Sequence, residues 1–201
     1  MKIQLRTAPR GEWEVVEIEQ GTTIEAIYRE KEDQLPYRIL AAKVDNQFEE
    51  LTEPLVRPCR VELLDLRTLT ANLIYQHSLS LIYLKAVYDC LGDVRVEIQN
   101  SLNKGLYTEI KTETPIMAAQ IHQIEKRMHQ IVEADMPFVR EIVSRKEAME
   151  IFRKDGRSEK QRLLHESLNL GKVKFYSLGG VRDFFYGLMV PSSSYIEYFE
   201  L

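Results

Sequence analysis

The chain has 201 residues, 44% hydrophobic and 29% charged, ordinary globular material for one large domain or two modest ones. A net charge of −4 and a pI near 5.7 exclude nucleic-acid binding through a global positive field and leave room only for a local patch. Apolar runs such as residues 80–84 fall far short of the roughly 20 residues a bilayer needs, and Met1-Lys2-Ile3-Gln4-Leu5-Arg6 has no signal-peptide core, so a cytoplasmic protein without membrane contact is expected. Cys59 and Cys90 show no C-x-x-C spacing and are expected as buried free thiols.

Residues 3–6 and 13–18 alternate with the period of half-buried strands, and Pro9-Arg10-Gly11 supplies the turn between them. After Gly21, Thr22-Thr23-Ile24-Glu25 predicts a capping box with Thr22 as the cap, then a short helix that buries Ile24, Ile27 and Tyr28. Strands over 39–44 and 60–64, with a polar turn at Asp45-Asn46, complete a ββαββ module, and Asp65-Leu66-Arg67 is the expected junction. From 70 to 91 a long helix carries Leu73, Ile74, His77, Leu81, Leu84, Val87, Tyr88 and Leu91 on one stripe, and Gly92 stops it. His77 thus lies on an apolar face, where a histidine is more often a packed core residue than a ligand.

Residues 94–99 read as a strand and Asn103-Lys104-Gly105-Leu106-Tyr107 as a turn with a strand start. Thr114-Pro115 predicts a helix with threonine at the N-cap, burying Ile116, Ala119, Ile124, Met128, Ile131 and Val132 and ending near Ala134 ahead of Pro137. His122 and His129 are two turns apart, about 10 Å along the axis, too far to chelate one ion, so both are expected in solvent. Ser144-Arg145-Lys146-Glu147 predicts another capping box, for a helix closed by Gly156, and Ser158 caps the next, which uses Leu163, Leu164 and Leu168. The small basic excess between Arg140 and Arg162 reads as a solvated, salt-bridged helical face. Strands are expected at 173–176, 181–186 and 195–199, separated by Gly179-Gly180 and Pro191-Ser192-Ser193-Ser194. There is no G-x-x-x-x-G-K-[ST] loop, no G-x-G-x-x-G, and His165-Glu166-Ser167-Leu168-Asn169 lacks the second histidine of H-E-x-x-H.

Gly21-Thr22-Thr23-Ile24, Ala41-Ala42-Lys43-Val44-Asp45-Asn46 and Leu51-Thr52-Glu53-Pro54-Leu55 resemble the words of a TGS domain, with Asp45-Asn46 where Asn-Gly is usual. This β-grasp module occurs in threonyl-tRNA synthetases, GTPases and stringent-response enzymes. Farther on, His77-Ser78, Asn103-Lys104-Gly105-Leu106-Tyr107, Ile124-Glu125-Lys126-Arg127-Met128, Val143-Ser144-Arg145-Lys146-Glu147-Ala148 and the segment 182–198 resemble, in order and spacing, the editing domain of threonyl-tRNA synthetases. The implied fold class is α+β: a β-grasp (TGS) domain at 1–65, a binding unit with no chemistry of its own, followed by a larger editing-type α+β domain at 66–201.

In that family a helical His-x-x-x-His and a later Asp-x-Cys-x-Gly-x-His-x-Pro supply the metal site. The resemblance places His77, Leu81, Phe185 and Met189 at the ligand-like positions, Asp183 at the acidic one and Lys160 at the lysine. A catalytic zinc keeps three protein ligands and a water, whereas leucine and phenylalanine donate nothing and a methionine thioether is a poor zinc ligand. The resemblance therefore implies a degenerate site without metal. His77, Lys160 and Asp183 are its vestigial catalytic candidates and Leu81, Phe185 and Met189 its lost ligand positions. Metal-free hydrolysis of mischarged threonine-acceptor tRNA by those three candidates is the enzymatic alternative.

The tail Val181-Arg182-Asp183-Phe184-Phe185-Tyr186-Gly187-Leu188-Met189-Val190-Pro191-Ser192 resembles a branch of bacterial nucleoside (uridine) kinase-like proteins. There a TGS module and a degenerate editing-like unit precede a P-loop kinase domain. That resemblance implies a non-catalytic recognition or regulatory region. An RNA or small-molecule ligand is expected, with neither DNA nor membrane, and a protein-interaction unit acting on a partner through residues 1–65 is the third reading. No cofactor is expected in this chain, which is read as the front part of such a protein or a stand-alone relative; ATP and Mg are expected only with a downstream kinase domain.

Overall fold

Alternation in β1 (Lys2–Arg6) buries Ile3 and Leu5 and turns Lys2, Gln4 and Arg6 to the opposite face, as the pleat requires. The computed structural model describes residues 1–102, 105–154 and 171–201. β1 pairs antiparallel with β2 (Glu14–Glu17) and parallel with β5 (Arg60–Asp65); β5 pairs with β3 (Ile39–Val44), the hairpin partner of β4 (Gln47–Glu49). The order β2-β1-β5-β3-β4 is a mixed β-grasp sheet, and α1 (Ile24–Arg29) contributes Ile24, Ile27 and Tyr28 to the same core as Leu5, Val61 and Leu63. Asp45 and Asn46 both have positive φ, 46° and 71°, the type I′ geometry whose twist suits a two-residue hairpin.

Thr23, not Thr22, caps α1. Its Oγ1 accepts from the Ala26 amide at 3.2 Å, while the Thr22 hydroxyl donates to the Glu19 carbonyl at 2.9 Å. At the junction the buried Asp65 carboxylate accepts from the Arg67 amide at 2.9 Å, and its carbonyl accepts from Thr68, the cap of α2 (Leu69–Leu91). α2 touches β3 and β5 as well as the elements that follow, so burial spreads round it instead of following one stripe. Leu73 and Tyr88, expected inside, are 45% and 50% exposed.

β6 (Arg95–Leu102) and β7 (Gly105–Lys111) form a separate antiparallel ribbon, tied to α2 where Thr108 Oγ1 donates to the Tyr83 hydroxyl at 3.0 Å. α3 (Ala118–Glu133) starts later than Thr114-Pro115 predicts. Met117 is its N-cap, the Gln120 side chain accepts from the Met117 amide at 2.9 Å, and the Thr114 carbonyl is taken by the Thr112 hydroxyl. Ile116 therefore precedes the helix and Ala119 is exposed, while Ile124, Met128 and Ile131 are buried.

β8 (Val139–Ser144), β9 (Lys172–Leu178) and β10 (Val181–Phe184) make an antiparallel sheet in the order β10-β9-β8. Arg140 thus lies on a strand that local pattern did not reveal, not on the expected helical face. The Ser144 box forms, with the Ser144 amide donating to Glu147 at 2.8 Å and the Glu147 amide to Ser144 Oγ at 3.3 Å, and it opens α4 (Arg145–Lys154). Gly179 and Gly180, at φ 52° and 88°, turn β9 into β10.

Residues 195–199 do not form a strand. Ser193 donates to the Ile131 carbonyl at 2.6 Å and accepts from the Met136 amide, and the Tyr195 hydroxyl donates to Glu25 at 2.6 Å, which commits this segment to α3 and α1 through a short 3-10 turn. Lys160, Asn103-Lys104, Gly156, the Ser158-capped helix and His165 lie outside the described residues. Among the described residues no helix is long and apolar enough to cross a membrane. Cys59 and Cys90 are free and half-buried, and burial raises both thiol pKa values.

Candidate functional site

α2 carries His77 and Ser78 side by side with Leu81 one turn on, and the chain leaving β10 returns along it through residues 185–190. Ser78, fully buried, joins the two: its hydroxyl donates to the Ile74 carbonyl at 2.8 Å and accepts from the Val190 amide at 3.1 Å. Gly187 presses against His77 so closely that a Cβ built there would lie 2.1 Å from Nδ1, and the Phe185 ring centroid stands 6.1 Å from the imidazole, tilted by 51°. His77 Nδ1 is buried and has no hydrogen-bond partner among the described residues. Burial holds the His77 pKa below the usual imidazole range, with the Leu188 backbone pulling weakly the other way.

At the remaining ligand-like positions, Leu81 is 0% and Met189 1% exposed, both inside the main core, with Phe185 packed against it. Asp183 is buried on β10 opposite Tyr176, and one of its carboxylate oxygens accepts from the Phe184 amide at 2.6 Å. One imidazole with leucine, phenylalanine and methionine at the other ligand-like positions does not fit a zinc ion, which needs three or four N, S or O ligands. Among the described residues no group of three His, Cys, Asp or Glu is placed to hold a metal. His122 and His129 are exposed, and His129 stacks on Phe199 at 4.5 Å.

Beside Met189 lies a polar cluster that pattern reading missed. Glu50, 5% exposed in the loop after β4, accepts from the Tyr176 hydroxyl and from the Met189 amide at 3.2 Å, and pairs with the Arg140 guanidinium at 3.0 Å. Arg140 also pairs with Glu53. Burial first, then the Glu50 charge, drives the Tyr176 phenol far above its ordinary range. For Arg140 burial works downward but is outweighed by Glu53 and Glu50, which raise it. The signals in the sequence are Glu50 just past β4 and Arg140 at the start of the basic segment after Pro137, neither distinctive.

No family model matches the chain. Curated relatives do. The chain is similar to threonine–tRNA ligases. That of Desulforamulus reducens is 28% identical over 201 residues, all of this chain and 31% of the relative. That of Symbiobacterium thermophilum is 28% identical over 195 residues, 97% of this chain and 30% of the relative, and that of Staphylococcus carnosus 30% over 185 residues, 92% and 28%. The chain thus spans about three tenths of the ligases' length. The likeness to these ligases runs through both the β-grasp sheet and the helices and strands behind it.

Proposed function

We propose that this chain is a non-hydrolytic, tRNA-associated recognition unit, built from a β-grasp domain at 1–65 and an editing-like domain at 66–201. Likeness to threonine–tRNA ligases across the chain favours an RNA-related role over the front of a nucleoside kinase. The observation that carries the non-hydrolytic part is the burial of Leu81 and Met189 in the core, at two of the positions where ligands would stand. Hydrolysis needs a base in reach of an oriented water and of the substrate carbonyl, and Gly187 and Phe185 occupy the space beside the imidazole. The association with ATP-dependent phosphoryl transfer suggested by the tail draws no support from these relatives; a phosphate-loop motif encoded after Leu201 is what it requires.

The test pairs binding with chemistry. Threonine-acceptor tRNA is expected to bind in a filter assay, while mischarged threonine-acceptor tRNA is deacylated no faster than in buffer and purified protein carries zinc well below one equivalent. Deacylation abolished by His77→Ala would instead establish the trans-editing hydrolase.

A further inference from the structure

The sheet face turned away from the β-grasp core carries a second candidate site. Pairing brings Val15 and Arg60 beside Gln4, and Lys43 beside Glu62, on the face that also holds Lys2 and Arg6. Trp13, 40% exposed, lies under two guanidinium groups, with Arg6 Cζ 4.7 Å and Arg60 Cζ 5.9 Å from its ring centroid. These residues line an open groove of about 720 Å³. At its side the Phe48 ring is 47% exposed and has Lys43 Nζ 6.0 Å from its centroid.

The groove carries an excess of two positive charges in a chain whose net charge is −4, because Lys2, Arg6, Lys43 and Arg60 outnumber Asp45 and Glu62. Both carboxylates are engaged, Glu62 with Arg6 at 2.7 Å and Asp45 with Arg57 at 2.8 Å. Arg6 Nε is buried without an acceptor among the described residues. A flat sheet presenting an aromatic ring among cations matches the needs of an unpaired nucleotide: a π-face for the base and charge for the phosphates, with little dependence on sequence. An acidic peptide would use the cations and leave the indole idle.

We propose that this face binds single-stranded RNA, with an unpaired base stacked on Trp13 and the adjoining phosphates held by Lys2, Lys43 and Arg60. The inference rests on the RNA-associated reading above and adds the surface that performs it. Trp13 is the only tryptophan, so its fluorescence reports this site directly.

Titration of the full chain with a short oligouridylate is expected to quench that fluorescence. The plot of log affinity against log salt should have a slope of about −2 to −3, since each of three or four phosphates contributes about −0.7. Measured by anisotropy of labelled RNA, Trp13→Ala should weaken binding about tenfold and Trp13→Phe far less. Lys2→Gln with Lys43→Gln should flatten the salt slope by about 1.4. Circular dichroism checks that each variant is folded. Intact tRNA binding unchanged in Trp13→Ala would overturn this inference and leave the RNA-associated reading standing. Binding of neither RNA would remove both. Quenching by polyglutamate at lower concentration than by oligouridylate would overturn it in favour of an acidic protein partner.

Discussion

Replacing Glu50 by alanine and by glutamine separates the work of its oxygen atoms from that of its charge. In Glu50→Ala the Tyr176 hydroxyl and the Met189 amide lose their acceptor in a place closed to water. A buried donor left unpaired costs about 1–3 kcal/mol. Arg140 loses one of two carboxylates but keeps Glu53 and has a side chain 27% exposed, so its loss falls well below the 3–5 kcal/mol of a buried pair broken outright. At about 1.5 kcal/mol for each of the two donors and up to about 1 kcal/mol for the partly exposed Arg140 pair, the alanine variant loses about 3–4 kcal/mol. Glutamine retains an acceptor oxygen for both neutral donors and removes only the charge, for about 1–2 kcal/mol. Urea unfolding at neutral pH measures both, and in a chain of this size the alanine cost corresponds to a Tm lower by about 6–16 °C. Equal losses in the two variants would refute the assignment of the neutral donors to Glu50, and a loss under about 1 kcal/mol in alanine would refute the cluster as a structural element.

Thr23→Ala should cost about 1 kcal/mol in the same assay and Thr22→Ala distinctly less, because only Thr23 accepts from the first turn of α1. The His77 pKa lies below its ordinary 6.5 through burial, so in acid the unfolded chain takes up a proton that the native state refuses. Its stabilising effect is complete above pH 6.5 and is lost as pH falls through the window down to the native pKa, at no more than about 1.4 kcal/mol per pH unit. Unfolding curves from pH 7 to 5 should show that loss, and His77→Gln should remove its share; an identical pH profile in the variant would contradict the burial argument. Gly187→Ala should cost about 1–3 kcal/mol by driving a methyl into the imidazole. Most of that cost should vanish in a His77→Ala background, and additive losses would place the strain elsewhere.

Periodicity and caps revealed the elements whose stabilising contacts are local. The alternation of β1, the long span of α2 and the reciprocal Ser144–Glu147 box all follow from neighbours within a few residues. What escaped was decided by distant partners. β8 is a strand because β9, which begins only at Lys172, pairs with it, and 195–199 is no strand because Ser193 and Tyr195 bind α3 and α1. Leu73 and Tyr88 fit a helical stripe perfectly well, but α2 meets different neighbours along its length and no single stripe describes its burial. For the candidate site, the resemblance to the editing family pointed to the positions, whereas only the packing tells what fills them: Leu81 and Met189 are core residues and His77 is wedged against a glycine.

That packing also bears on where a ligand has access. Opening the segment beside His77 would strip the Met189 amide from Glu50 and the Val190 amide from Ser78. It would also loosen the buried carboxylate that joins the loop after β4 to β8 and β9. Each such bond left unmade in the interior costs about 1–3 kcal/mol, so opening it for a ligand would use much of the net stability of an ordinary domain, about 5–15 kcal/mol. The Trp13 face requires no such rearrangement, since its ring, Val15 and Phe48 are already exposed beside Lys2 and Lys43. With the place beside His77 closed by its own side chains and tied to the loop after β4, the proposed recognition surface on the sheet is the one a ligand reaches without opening the fold.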